Sequence, residues 1–364
     1  MLRRWSDQQE GTNNSAGARS SGEMASGDDS ESARPAATGD ANSVLARPEA
    51  ELRRESTGRE SWVFRASRTS ELLGVHAGEV GRALPAGETA RYLLYSPMWE
   101  GSGGPFGIRA APASHGMAVT ERRFIISRDP HAAGTPPTTL SIPYETVLGV
   151  ESGSALMLAW VVLWHAEAGA PQATTVLYRA LGRMHVTALL RAYRAASSPT
   201  RRGDRDCLPA WAAVWDKLGA RYREEIEPLL LDGEQPLSAV AWNTPNGRWR
   251  NGRSDHVVSV APAGGIVASS DGLFLVGEDP QTLQGSPGFG VNVHCVPSDA
   301  LRAATLADVT TGGPWLLELR LALGRSGATE TVLARFPGEQ VRQVADALAS
   351  VAGHLTPRGI PWSS

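Results

Sequence analysis

The chain has 364 residues and a formal net charge of −3, with 20% of its residues charged. That length holds two domains of the usual ~100 to 150 residues and a tail. The charge argues against a protein that coats nucleic acid, which needs many phosphate-neutralising cations; two cysteines, Cys207 and Cys295, are too few for a disulfide framework and fit a reduced compartment.

Residues 1–58 are rich in Gly, Ser, Ala and acidic residues with little to bury, and predict a disordered tail. Met1 to Asp7 begins with charge but has no apolar run behind it, so it reads as no secretory signal. The longest apolar run, Ala155 to Trp164, is half a membrane span. The expectation is a soluble, cytoplasmic protein without a transmembrane segment. Trp62, Val63, Phe64, Leu72, Leu73 and Val75 predict a segment packed on the first module, with Thr69-Ser70-Glu71 starting a short helix. Tyr92 to Ser96 reads as a strand stopped by Pro97. Gly101 to Gly107 is glycine-rich but lacks the Lys-Ser/Thr of a phosphate loop and reads as a hairpin loop.

Strands follow at Gly116–Thr120, Arg123–Ser127, Leu140–Glu145, Val147–Glu151, Leu156–Trp164 and Thr174–Tyr178. After Gly182, Val186, Leu189, Leu190 and Tyr193 recur at the spacing of a core-facing helix. The Leu156–Trp164 strand is apolar on both faces: Met157, Ala159, Val161 and Leu163 line one, Leu158, Trp160, Val162 and Trp164 the other. Trp160 and Trp164 therefore predict a cover, either Trp62–Val75 or Trp211–Ile226 of the same chain, or a partner protein. A linker with Pro199 and three arginines leads to Trp211, Val214, Trp215, Leu218, Tyr222 and Ile226, the stripe of an amphipathic helix ended by Pro228; its mixed-sign polar face favours an interdomain core over membrane insertion, and Trp211 and Trp215 are also a second candidate interface.

The first pattern then returns. Gly265–Ala268, Leu273–Val276, Val293–Asp299, Leu301–Leu306, Trp315–Leu323, Thr331–Arg335 and a helix after Gly338 answer the first copy in order. The offset grows from 150 at Phe124 and Phe274 to 156 at Gly182 and Gly338, a drift that places the insertions in loops. One difference stands out: Glu318 and Arg320 predict a solvated face where the first copy has Trp160 and Val162.

The strand Thr120–Ile126 (T-x-x-R-F-I-I), the strand end Ser141–Tyr144 (S-I-P-Y) and the closing helix resemble the pleckstrin-homology (PH)-like superfold, including bacterial PH-like and GRAM-type domains. The resemblance implies a mainly β fold with helices (α+β), built of two PH-like β-barrel or sandwich modules. Each is capped by a C-terminal helix, and an amphipathic helical linker joins them. The expected organisation is a tail at 1–58, a first module with its N-terminal extension at 59–196, a linker at 197–232, a second module at 233–356 and a frayed end at 357–364.

No H-E-x-x-H, paired cysteines at metal-ligand spacing or G-x-S-x-G elbow occurs, so no catalytic, metal or cofactor-binding residue is assigned. His294 and Cys295 are adjacent, but strand neighbours face opposite ways. In PH domains that bind phosphoinositides, basic residues occupy the loop joining the first two strands, and Arg248, Trp249, Arg250 and Arg253 occupy the matching loop of the second copy. Arginine suits phosphate by its bidentate geometry, and tryptophan suits the interfacial layer; a solvated charged hairpin is the preferred reading of that loop. The sequence predicts a non-enzymatic binding or scaffold protein whose partner is another protein. An anionic lipid surface met through the second module is the alternative, and a hydrolase with a dispersed site the third reading.

Overall fold

Each half of the chain lays down four main strands, turns a corner, adds three more and ends in a helix; the first half has a short extra strand ahead of the four, and the second an inserted two-stranded ribbon. In the first half, β1 (Phe64–Ala66) and helix α1 (His76–Ala83) precede β2 (Tyr92–Ser96), β3 (Ser114–Val119), β4 (Arg123–Asp129) and β5 (Thr138–Pro143). A 3₁₀ turn at Tyr144–Thr146 leads to β6 (Val147–Ala155), β7 (Leu158–Glu167), β8 (Ala170–Arg179) and α2 (Arg183–Ser197). Helices α3 (Leu208–Leu218) and α4 (Ala220–Ile226) connect to β9 (Pro236–Trp242). A ribbon of β10 (Asn246–Asn251) and β11 (Ser254–Ser259) then precedes β12 (Gly264–Ser269), β13 (Gly272–Glu278) and β14 (Val291–Pro297). A second 3₁₀ turn at Ser298–Ala300 leads to β15 (Leu301–Asp308), β16 (Leu316–Arg325), β17 (Ala328–Pro337) and α5 (Val341–Val351).

In this computed structural model the described residues are 62–98, 113–131, 134–155, 157–198, 208–244, 246–251, 254–259, 261–278, 290–310 and 315–351. The readings made for 1–58, 101–107, Cys207, Arg253 and 357–364 fall outside them. The described residues all belong to one compact unit, Glu55–Ser364. None of their helices is long and apolar enough to cross a membrane.

The two halves share backbone detail as well as element order. At the corner between the fourth and fifth strands, Pro143 has φ, ψ of −62°, 142° and Pro297 −60°, 141°, while Val147 and Leu301 leave the turn at −73°, 122° and −71°, 125°. The last hairpin of each half turns through Ala168-Gly169 (φ 49° and 79°) or Ser326-Gly327 (φ 50° and 81°). Positive φ at both central residues is the signature of a type I′ turn, whose twist suits right-handed strands. A glycine also opens each C-terminal helix for a steric reason: a Cβ on Gly182 would stand 2.4 Å from Val63, and one on Gly338 2.1 Å from Trp315.

Expectation and structure part where the halves meet. β6 pairs antiparallel with β14, Val150 opposite Cys295 and Ser154 opposite Val291. The last three strands of the first half and the four of the second thereby form one seven-stranded sheet, ordered β8-β7-β6-β14-β13-β12-β9. It lies between a five-stranded sheet, β1-β2-β3-β4-β5, and a three-stranded sheet, β15-β16-β17. The fold is mainly β with helices, its sheets are antiparallel, and none of the described sheets closes into a barrel. Two separate open sheets would leave one edge of β6 and one of β14 with unpaired N–H and C=O groups; pairing them satisfies both edges at once.

Among the described residues, three apolar clusters hold this body together. The first joins Leu94, Met117 and Phe124 of the five-stranded sheet to Ala159, Val161 and Leu163 of β7 and to Val186, Leu189, Leu190 and Tyr193 of α2. It continues without a break into Trp211, Trp215, Ile226 and the face of the second half that carries Phe274, Val293 and Cys295. The second cluster is the core of the second half, from Ile266 and Leu275 to Leu317, Leu319, Leu321 and the α5 stripe Val344, Ala347 and Leu348. The third seats the N-terminal extension, Leu72 and Val80, on the outer face of the first sheet, at Leu93, Ala118 and Ile125. Burying each Val, Leu, Ile, Phe or Met among them is worth about 1.5–3 kcal/mol, so these faces fix which surface every element presents.

The linker stripe is buried as its spacing requires, but it is two helices. Gly219, at φ 78°, breaks it between Leu218 and Ala220. Glu318 is not solvated either: it is 3% exposed, its carboxylate covered by Arg320 and Arg335 at 2.8 and 3.0 Å. Burial opposes its ionisation, yet the hydrogen bonds and charges of the two arginines prevail and hold the carboxyl below the usual range.

Candidate interaction surfaces and the module junction

The four tryptophans singled out by their patterning are taken up inside the chain. Trp160 is 7% exposed, Trp211 2% and Trp215 7%, and the half-buried Trp164 packs against the second core. The cover of the second face of β7 is intramolecular, but it is neither segment expected. β16 lies against β6, and β17 against β7 and β8, so the three-stranded sheet of the second half closes that face. Trp62–Val75 serves the first sheet instead, and Trp211–Ile226 packs on β9 and β14. Trp211 and Trp215 stack at 5.0 Å with an interplanar angle of 21°, and Trp211 Nε1 donates to the Glu234 carbonyl at 2.9 Å.

At the seam of the shared sheet, Glu151 of β6 stands opposite Val162 on one side and His294 on the other. Trp160 Nε1 donates to Glu151 Oε1 at 3.0 Å, and His294 Nε2 lies 3.8 Å from Oε2. Burial lowers the His294 pKa, with Glu151 opposing. Cys295 points the other way, into the first core, where burial pushes its thiol up to about 12. The two side chains cannot share a ligand, as their adjacency on a strand implied.

A repeated polar clasp escaped the sequence reading. In each half a Gly-Glu pair, Gly87-Glu88 or Gly233-Glu234, precedes the first of the four main strands with its glycine at φ 85° or 78°. The carboxylate then accepts from a hydroxyl just after the second strand or at its end: Thr120 Oγ1 to Glu88 at 2.8 Å, Ser269 Oγ to Glu234 at 2.6 Å. The signal was the dipeptide itself, too short to notice without the fold. In the first half the clasp is completed by Arg123 of the same sheet, at 3.1 Å. In the second it is completed from the other half: Arg194 of α2 donates to Glu234 through Nη2 at 2.8 Å and Nη1 at 3.1 Å, and its guanidinium lies 4.6 Å from the Phe274 ring centroid. Leu231 N donates to the same carboxylate at 2.9 Å. The Glu234 side chain is 0% exposed and Arg194 10%, so this is a desolvated, fully bonded ion pair across the modules. Burial opposes the Arg194 charge, but Glu234 more than offsets it and raises the pKa.

One constellation has the residue types of a hydrolase. Ser114 Oγ lies 2.7 Å from His131 Nε2, and His131 Nδ1 lies 3.5 Å from Asp129 Oδ2. The geometry is that of a structural tie. Ser114 is 1% exposed beneath α1, and its hydroxyl also meets His76 Nε2 at 2.8 Å, while His76 Nδ1 meets Ser127 Oγ at 2.9 Å. Asp129 Oδ1 accepts from the His131 backbone N–H at 2.9 Å, supporting that residue's φ of 52°. The cluster pins α1 and the chain end of β4 to the sheet. His185 is half-buried beside the core stripe, and burial lowers its pKa.

The remaining candidates are surfaces. Arg248, Trp249 and Arg250 lie on β10, paired with Val257, His256 and Asp255 of β11, so they belong to a strand of an inserted ribbon and not to an open loop. The ribbon forms a two-stranded sheet apart from the other three. At the β5 corner a cleft of about 410 Å³ is lined by Glu121, Arg122, Arg123, Glu145 and Ser197, a mixture of charges without one sign. Among the described strands, β5 and β15 each have one paired neighbour and hence one open edge. Comparison of the chain with protein-family models and with curated proteins finds no match.

Proposed function

We propose that this chain is a non-enzymatic binding or scaffold protein made of two PH-like modules fused through a common sheet, and that it works by engaging another protein. The four-plus-three strand order with a closing helix, and the matched corner and hairpin dihedrals, support reading each half as one such module. The open edges of β5 and β15 are the observation that carries the functional reading. An unpaired edge offers main-chain donors and acceptors to an extended segment of another chain, and side-chain pockets on either face supply selectivity. Affinity purification with the intact chain from its native source tests the reading. Recovery of a saturable protein partner supports it; equal recovery after both edges are blocked by proline or charge counts against it.

The second reading, adhesion to anionic lipid through the second module, is favoured by the separate ribbon that carries Arg248 and Arg250. Replacing Arg248, Arg250 and Arg253 with Ala abolishes sedimentation with anionic vesicles if that reading holds. Equal sedimentation of wild type and variant removes the ribbon from consideration.

A further inference from the structure

The chain contains a worked example of how one module's edge is filled by another. The fifth strand of the first half, β6, takes the fourth strand of the second, β14, as its antiparallel neighbour. The two strands left over are the complementary ones: β5 is the fourth strand of the first half, β15 the fifth strand of the second, and each has an open edge. We propose that β15 of one copy pairs with β5 of the next, repeating between chains the joint that already exists within the chain.

Three observations favour a second copy as the occupant. The corners that present the strands are superimposable in their dihedrals, with Pro143 and Pro297 ending β5 and β14 and the same 3₁₀ turn following. The surroundings match too, since α1 packs beside β5 as α4 packs beside β14. Finally, the middle of each edge is bare: Thr138 to Ile142 carries no charge and Leu140 is 37% exposed, and β15 carries no charge between Arg302 and Asp308, with Thr305 exposed. Natural edge strands usually bear inward charges, prolines or covers.

The internal joint also fixes the register. Shifting the β6–β14 pairs by the 154 residues that separate Pro143 from Pro297 puts Leu140 opposite Thr305 and Ser141 opposite Ala304. A joint between unlike surfaces repeats head to tail, giving rings where the rotation between copies closes and open chains where it does not. It is weaker than the internal one for two reasons. No tether raises the effective concentration, and the face that in the first half carries Trp160 carries Glu318, Arg320 and Arg335 in the second. Assembly is therefore concentration-dependent.

Sedimentation velocity of the intact chain tests this. The wild type is expected to form species beyond the dimer as concentration rises. Leu140→Lys, which blocks β5, and Thr305→Glu, which blocks β15, are both at exposed positions and should each give a folded monomer. Mixed together they should give a one-to-one dimer, because one retains β15 and the other β5. A second measurement does not depend on these charges: Leu140→Cys mixed with Thr305→Cys, in a background with Cys207→Ser, should form a mixed disulfide that greatly exceeds either self-disulfide. A wild type that stays monomeric throughout, a mixture that fails to dimerise or a cysteine pair that fails to cross-link overturns the proposal.

Discussion

Glu234→Gln tests whether the clasp between α2 and the second half is a principal bond of the fold. The carboxylate accepts four hydrogen bonds, from Ser269 Oγ at 2.6 Å, Arg194 at 2.8 and 3.1 Å and Leu231 N at 2.9 Å, with its side chain 0% exposed. Removing its charge leaves the Arg194 guanidinium buried beside the Leu229 carbonyl and the Phe274 ring, neither of which neutralises it, with Asp271, a weaker influence than Glu234, as the carboxylate that still acts on its charge. Stranding one member of a buried pair typically costs about 3–5 kcal/mol. With a urea m-value near the upper end of the usual ~1–3 kcal/mol/M, the unfolding midpoint should fall by more than about 1 M. Arg194→Met should be comparably harmful, whereas the double variant should be no worse than the worse single one, because the second change removes the stranded charge. Single variants that each shift the midpoint by less than about 0.3 M, or a double variant whose loss is the sum of the two, would refute this account.

The shared sheet predicts a single cooperative unfolding transition for both halves; two resolved calorimetric peaks would count against it. Trp160→Ala should destabilise by about 3–5 kcal/mol, since it removes a buried aromatic and the donor to Glu151. Gly153→Ala probes the same contact from the other side, its Cβ lying 2.3 Å from Trp160 Cζ2, and should cost about 1–3 kcal/mol by overpacking; a neutral result in both variants would show that the seam is loose. His115 supplies a pH dependence. Burial, with Arg128 adding to it, pushes its pKa from 6.5 down to about 3, and its Nδ1 is buried without a hydrogen-bond partner. The unfolded chain therefore takes up a proton near pH 6.5 and the folded one only near 3, so stability falls as the pH drops through that interval. Denaturant midpoints measured across it should decline, with a shallower slope in His115→Gln; an equal slope would assign the dependence to other groups. Glu88→Gln, in the more exposed clasp of the first half, should shift the midpoint less than Glu234→Gln.

The sequence by itself determined the duplicated order of elements, because strand and helix periodicities are local. Val186, Leu189, Leu190 and Tyr193 are buried on α2 as their spacing requires, and the doubly apolar β7 did need cover on both faces. It also revealed that the second copy lacks an apolar counterpart to Trp160. Only the tertiary structure decided what supplies the cover, since several segments of one chain are apolar enough to serve, and the choice is made by which strand edges meet. β6 and β14 are distant in sequence, and their pairing satisfies main-chain groups that every residue except proline carries alike, so no side-chain pattern announces it. That joint draws β16 and β17 over Trp160, turns candidate partner surfaces inward, and brings Arg194 onto Glu234. The Glu318 misreading has the same root: a charged residue on a strand reads as solvated until the two arginines that enclose it, one on the neighbouring strand, are brought beside it.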